Sequence, residues 1–224
     1  MGAMNADGKN ERLSQIRKIR PTRRSVSGLY VFRGTTQIAY ESTLERDFIV
    51  LMEHSIKVDD IISQPCRLSF HGENDQIYPY TPDFLVYYRD GSKPMLVEVK
   101  PGEEWRKHWR KWSVKWKIAR RYAREQGWTF RIYDEGRIRN QTLVNINFLQ
   151  RYDRTMVSED HVLPIIESVK HAGRISVGRL LEQSSESVLM MRPLIWHLVA
   201  VRRMECDMAE PLGDHTIIWI TQYE

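Results

Sequence analysis

Asp83, Glu98 and Lys100 form an acid–acid–lysine set of the kind that binds a cation and acts on a phosphate. They lie in "YTPDFLVYYRDGSKPMLVEVK", from Tyr80 to Lys100. Two apolar runs, Pro82–Tyr88 and Met95–Lys100, flank a turn-like "RDGSKP", which predicts a β-hairpin. Centring the turn near Gly91 sets Asp83 opposite Glu98 or its immediate neighbour, given a register error of about one or two residues. Directly opposed side chains share a face and stand roughly 5 Å apart at Cβ. Glu98 and Lys100 share a face as well, because a strand has a period of two. Two carboxylates and an ammonium therefore converge at one end of a sheet.

Opposed carboxylates repel, and burying them is costly unless a cation pairs them. Lys100 supplies one positive charge; a divalent metal would supply the rest. Oxygen-only ligation suits Mg²⁺, with Mn²⁺ as a substitute. The chemistry that follows is metal-assisted hydrolysis of a phosphodiester. The metal polarises the scissile phosphate and lowers the pKa of its water, while Lys100 orients that water or stabilises developing charge. The plainer reading is a surface hairpin whose Glu98 and Lys100 face solvent. One acid in one strand would fit that reading; the pattern P-D-(x)14-E-x-K across a hairpin weighs against it.

The surrounding segments must position this hairpin. Residues 1–39 read as a basic arm with little periodicity and no core of its own. "ESTLERDFIVLMEHS" is a helix by the spacing of Leu44, Phe48, Leu51 and Met52, with Ser42 and Glu45 fitting a capping box. "CRLSF" is a short strand, "HGENDQIYPY" a polar turn-rich stretch, and 102–127 one long helix stopped by Gly127. "WTFRIYDE" is a further strand, and "NQTLVNINFLQRY" a helix closing a domain of residues 40–152. The order is an α/β plan with a mixed sheet. From 153 to 224 three helices, within "SEDHVLPIIESVKHAG", "ISVGRLLEQ" and "SESVLMMRPLIWHLVAVRRM", precede a hairpin around "AEPLGD". That is a small winged-helix architecture.

The chain of 224 residues is 42% hydrophobic, enough for a real core, and carries a net charge of +5. The charge is uneven: residues 1–40 hold eight Lys/Arg against two acids, 41–152 nineteen against sixteen, and 153–224 seven against eleven. The positive field thus lies in the first two-thirds, as expected of a part that meets DNA. No apolar run approaches a membrane span, and no secretory signal is expected. Cys66 and Cys206 are far apart and form no CxxC pair, so a disulfide framework or zinc ribbon is not favoured and a reducing cytoplasm is expected. His161, His171, His197 and His215 have no metal-ligand spacing.

"TPDF" followed by "LVEVK" is the PD-(D/E)xK nuclease signature, and the element order resembles the restriction-endonuclease-like fold. More narrowly, "YESTLERDFIVLME", "QP", "YTPDFLV" and "EVK" resemble TnsA, the endonuclease subunit of Tn7-like transposons. The resemblance covers roughly residues 40–152, and the C-terminal tail fits that family's two-domain plan. It implies that Asp83 and Glu98 bind metal, that the carbonyl of Val99 adds a ligand, that Lys100 is the motif lysine and that Glu45 is the acid of the first helix. Some members carry Gln where Glu98 stands. The resemblance further implies cleavage of the non-transferred strand at the 5′ transposon ends, beside a DDE transposase, TnsB, that cuts the 3′ ends. A AAA+ regulator, TnsC, links both to target selection. Glu45 also has the capping-box role, and Glu41, one turn earlier on the same stripe, is its rival; Glu45 shares a helical face with Phe48 and Met52.

"EEWRKHWRKWSVKWKIARRYAR" sets Trp105, Trp109, Trp112 and Trp116 on one stripe, Val114, Ile118 and Tyr122 on another, and nine Lys/Arg between them. One stripe must cover the sheet. Arg106, Lys107, Arg110 and Lys117 are candidate phosphate contacts beside the metal site, fixing register without reading sequence. Arg17, Lys18, Arg20, Arg23 and Arg24 of the arm could add more. The acidic winged helix begins its recognition helix with apolar residues, which favours docking to a protein partner over DNA. Two rival functions remain: a stand-alone restriction or repair nuclease, and a non-catalytic subunit that binds DNA ends. The first needs its own sequence recognition; the second has no need of the Asp83–Glu98–Lys100 set.

Overall fold

The computed structural model describes residues 13–16, 26–72, 76–184 and 186–221. The five basic arm residues from Arg17 to Arg24 lie outside this range. Two compact units divide between Ile138 and Arg139.

The first unit opens on a hairpin of β1 (Gly28–Phe32) and β2 (Thr36–Tyr40). For residues 28–39 this corrects the reading of an arm without a core: Phe32, Ile38 and Ala39 are buried. The tight turn uses positive φ at Arg33 and Gly34, and the side chain of Arg33 then donates to the carbonyls of Ser55, Val58 and Asp59. A charged residue thus terminates a buried hairpin rather than marking a solvated tail. Helix α1 (Thr43–His54) follows, with Ser42 accepting from the Glu45 N–H as expected of its cap.

Next come β3 (Val58–Ser63), a second hairpin of β4 (Leu68–His71) and β5 (Ile77–Tyr80), and the central strands β6 (Phe84–Tyr88) and β7 (Met95–Val99). The chain then runs through α2 (Gly102–Lys107) and α3 (Trp109–Glu125) to β8 (Thr129–Tyr133) and α4 (Glu135–Ile138). The expected single helix over 102–127 is broken at His108. The main sheet has the order β3-β6-β7-β8; the first two pairings are antiparallel and the last is parallel. The sheet is therefore mixed, and the unit is α/β.

Strand alternation sorts the two faces. Leu85, Leu96 and Phe130 are neighbours by register and pack with Trp116, Ala119 and Ala123 of α3. Phe84 and Tyr133 turn the other way, onto Phe48 of α1, at ring-centroid distances of 5.3 and 5.0 Å. The tryptophan stripe covers the sheet, with Trp105 and Trp112 packed beside Trp116, while Trp109 and Val114 stay exposed. Every residue of β7 is buried.

The second unit contains α5 (Gln141–Asp153), α6 (Glu159–Ala172), β9 (Arg174–Ser176), α7 (Val177–Glu182), α8 (Val188–Ala200), β10 (Met204–Cys206) and β11 (Ile217–Ile220). Its strands form an antiparallel sheet in the order β10-β11-β9. α5, which the sequence assigns to the end of the first domain, packs in this unit: Leu149 shares a core with Val162, Ile195 and Trp196, and the Asn145 amide donates to the carbonyls of Met208 and Glu210. Among the described residues, no helix is long and apolar enough to cross a membrane.

Candidate active site

The site begins where β6 begins. Phe84 pairs with Val97, so continuing the register sets Asp83 opposite Glu98, within the expected error. The Asp83 N–H donates to the Val97 carbonyl at 3.0 Å, and the Asp83 carbonyl accepts from Gln64 at 2.8 Å. Its side chain then continues the ladder, Oδ2 accepting from the Val99 N–H at 2.7 Å. Backbone pairing on both flanks fixes the aspartate before any ligand arrives.

Glu98 has the parity of Leu96, so it turns to the α3 face, and only 1% of it is exposed. A buried carboxylate needs donors on its oxygens. Oε2 accepts from the Tyr80 hydroxyl at 2.7 Å. Oε1 accepts from Lys115 Nζ of α3 at 2.8 Å. Lys100 Nζ stands 3.8 Å from Glu98 Oε1 and 3.9 Å from Asp83 Oδ2. One ammonium is thus held between both acids, and a second is bonded to Glu98 alone.

Glu45 reaches this neighbourhood from the first turn of α1, on the other side of the sheet. Its carboxylate accepts from the Glu41 N–H at 2.8 Å and from the Ser42 hydroxyl at 3.1 Å. It is buried, and burial raises its pKa, opposed by the Glu41 N–H and the charge of Lys100. The capping contacts are therefore formed, and Glu45 meets Asp83 and Lys100 through charge. Glu41 contributes its backbone N–H to this arrangement.

The electrostatics follow from crowding. Burial pushes the Asp83 carboxyl well above the usual range; Lys100 and the Val99 N–H pull it down, while Glu98 and Glu45 push it further up. Asp83 is the largest influence on Lys100, whose ammonium is held protonated well above its ordinary value, with burial opposing and Glu98 and Glu45 assisting. Burial also raises the Tyr80 hydroxyl, and the charge of Glu98 adds to it. An aspartate that is hard to ionise because of burial and two neighbouring acids is the setting a divalent cation would relieve. Asp83 and Glu98 fit a sparse shell for a hard cation. Among the described residues, however, no group of three or more His, Cys, Asp or Glu is gathered for metal ligation.

Tyr80 and Lys115 are residues that sequence reasoning does not single out. Tyr80 falls in a stretch that reads as turn-rich, although its buried place at the end of β5 aims it at Glu98. Lys115 is one of nine basic residues on a helical stretch. The available signal is its place between Trp112 and Trp116: a lysine three residues from one and adjacent to the other flanks the buried stripe. Arg106, Lys107, Arg110 and Lys117 are all exposed on α2 and α3, and Arg106 lies 5.8 Å from the Trp105 ring.

Residues 55–135 match the family model described as TnsA-like endonuclease, N-terminal. Over that stretch the chain is similar to the N-terminal domain of TnsA-like endonucleases. The match spans β3 to β8 and holds Tyr80, Asp83, Glu98, Lys100 and Lys115, while Glu45 and the second unit lie beyond it. It bears out the resemblance read from "YTPDF" and "EVK", which is to a nuclease of Tn7-type transposition. No curated protein matches the chain.

Proposed function

We propose that this chain is the Mg²⁺-dependent DNA endonuclease subunit of a Tn7-like transposase. It cleaves the non-transferred strand at the 5′ ends of the element, working in the cytoplasm beside a DDE transposase of the TnsB kind and under a AAA+ regulator of the TnsC kind. The observation that carries this reading is Lys100 Nζ lying 3.9 Å from Asp83 and 3.8 Å from Glu98 at one end of the sheet, within the segment matched to the endonuclease family.

In this reading Asp83, Glu98 and the carbonyl of Val99 hold the metal, Mg²⁺ or Mn²⁺, with Glu45 a further acid beside them. The cation would supply charge to the scissile phosphate and a more acidic bound water. The residues of the chain do the rest. Asp83, fixed by its ladder contacts, holds its carboxylate at the strand end. Lys100 stays protonated beside both acids, which suits it to orient the attacking water or to stabilise charge on the phosphate. Arg106, Lys107, Arg110 and Lys117, exposed along α2 and α3, contact backbone phosphates and leave the sequence of the ends unread. Helices α6, α7 and α8 with the three-stranded sheet of the second unit fit a winged helix whose apolar α8 start, Val188 to Met190, is exposed. That composition favours a protein partner.

The test is strand-specific nicking of supercoiled DNA bearing transposon ends, in Mg²⁺ or in chelator, with and without the partner transposase. Nicks at the 5′ ends that need the partner, the metal and Asp83 would support the reading. Partner-independent cutting at unrelated sequences would replace it with a stand-alone nuclease. Identical DNA from wild type and Asp83→Ala, with complex assembly intact, would leave a scaffold.

A further inference from the structure

Lys115 has no part in the reading above, yet it makes the shortest charged contact in the site. Its Nζ lies 2.8 Å from Glu98 Oε1, a full ångström closer than Lys100 at 3.8 Å. The same ammonium faces three aromatic rings, 4.8 Å from the centroid of Tyr80, 5.1 Å from Trp112 and 5.7 Å from Trp116. Of these, Tyr80 itself donates to the other oxygen of Glu98. The lysine is mostly enclosed, with 14% of its side chain exposed. An ammonium in such a place has two favourable partners, a carboxylate oxygen and a set of ring faces.

The geometry points to Lys115 as a competitor for the metal. Its ammonium occupies Glu98 Oε1 in the resting protein, and a divalent cation takes Glu98 as that ammonium withdraws onto the rings of Tyr80, Trp112 and Trp116. The inference rests on the assignment of Asp83 and Glu98 as metal ligands. Three arguments support it. A buried Glu98 requires a positive partner whenever no metal is bound, and Lys115 is the nearest one it has. A second cation on the same oxygen is repelled at short range in a medium of low dielectric. The three ring faces already lie against this ammonium, so an ammonium displaced from Glu98 keeps favourable contacts and is not left as an unpaired buried charge. Lys100 differs on each count: it lies between both acids rather than on one, and the motif keeps it there. Lys115 therefore keeps Glu98 balanced without metal and weakens the site for metal at the same time.

The experiment measures Mn²⁺ binding to the full chain by electron paramagnetic resonance of the free ion, for wild type, Lys115→Met, Lys115→Gln, Lys115→Arg and Asp83→Ala. Thermal melts confirm that each variant is folded. Lys115→Met and Lys115→Gln are expected to bind Mn²⁺ about tenfold more tightly, the size of removing one nearby like charge. Lys115→Arg should bind no more tightly than wild type. Mg²⁺ should change the tryptophan fluorescence of wild type and leave that of Lys115→Met unaltered. Folded neutral variants that bind Mn²⁺ equally or more weakly, while Asp83→Ala abolishes binding, would overturn the competitor and leave the metal site standing. Absence of Mn²⁺ binding from every variant and from wild type would overturn both.

Discussion

The two faces of β6 and β7 are built from one hairpin and do opposite things. Toward α1, Phe84 stacks on Phe48, which also meets Tyr133 of β8 edge-on. Toward α3, apolar packing by Leu85 and Leu96 gives way at the strand end to Glu98, bonded to Tyr80 and Lys115. The first face is favoured by removing apolar surface from water. The second buries charge, which adds little or nothing to stability unless every group is paired. The same strands therefore hold a stabilising face and a chemically active one, and the active one depends on the other for its rigidity.

The contrast can be broken from its strongest side first. Phe48→Ala, emptying the α1 face, should cost about 3–5 kcal/mol in urea unfolding, and a loss under about 1 kcal/mol would show that this face is not the anchor. Tyr80→Phe removes one donor from buried Glu98 and should cost about 1–3 kcal/mol; an unchanged midpoint would mean that water replaces the hydroxyl. Ser42→Ala should cost about 1 kcal/mol by removing the α1 cap, and the accompanying release of Glu45 should appear as a changed pH dependence of nicking.

Asp83→Asn acts in the opposite direction. Because the folded pKa of Asp83 lies above its unfolded value, the folded state binds more protons than the unfolded state between those two values. Metal-free stability is then complete below the ordinary carboxylate range and falls as pH rises through that window. The neutral amide should flatten this slope in urea titrations across pH and stabilise the metal-free protein at neutral pH. A steeper slope would mean that Lys100 outweighs burial. Smallest for stability are Arg106, Lys107, Arg110 and Lys117: alanine at each should change unfolding by less than about 0.5 kcal/mol. Each of these substitutions should also make DNA binding less sensitive to salt, because one fewer phosphate is neutralised and fewer counterions are released.

The hairpin was legible because its alternation and turn reveal both register and face sharing. α1 and its cap, β8, α6 and α8 were legible for the same local reasons. β5 was not, since Pro79 and a polar neighbourhood hide a short strand paired with β4. β1 and β2 were obscured by the basic residues around them, one of which, Arg33, serves to cap a turn. The break at His108 and the packing of α5 against α8 depend on what each helix meets, which local periodicity does not contain.

That Asp83, Glu98 and Lys100 meet follows from local pattern, because pairing across a short turn and a period of two leave few alternatives. Tertiary structure alone decided what surrounds them. It chose the face of the sheet that α3 covers, and so brought Lys115 and Tyr80 onto Glu98 while holding Glu45 back in its own cap. Those contacts arise between elements that share no local pattern, and burial supplies the reason: a carboxylate excluded from water takes its partners from whichever helix and strand enclose it.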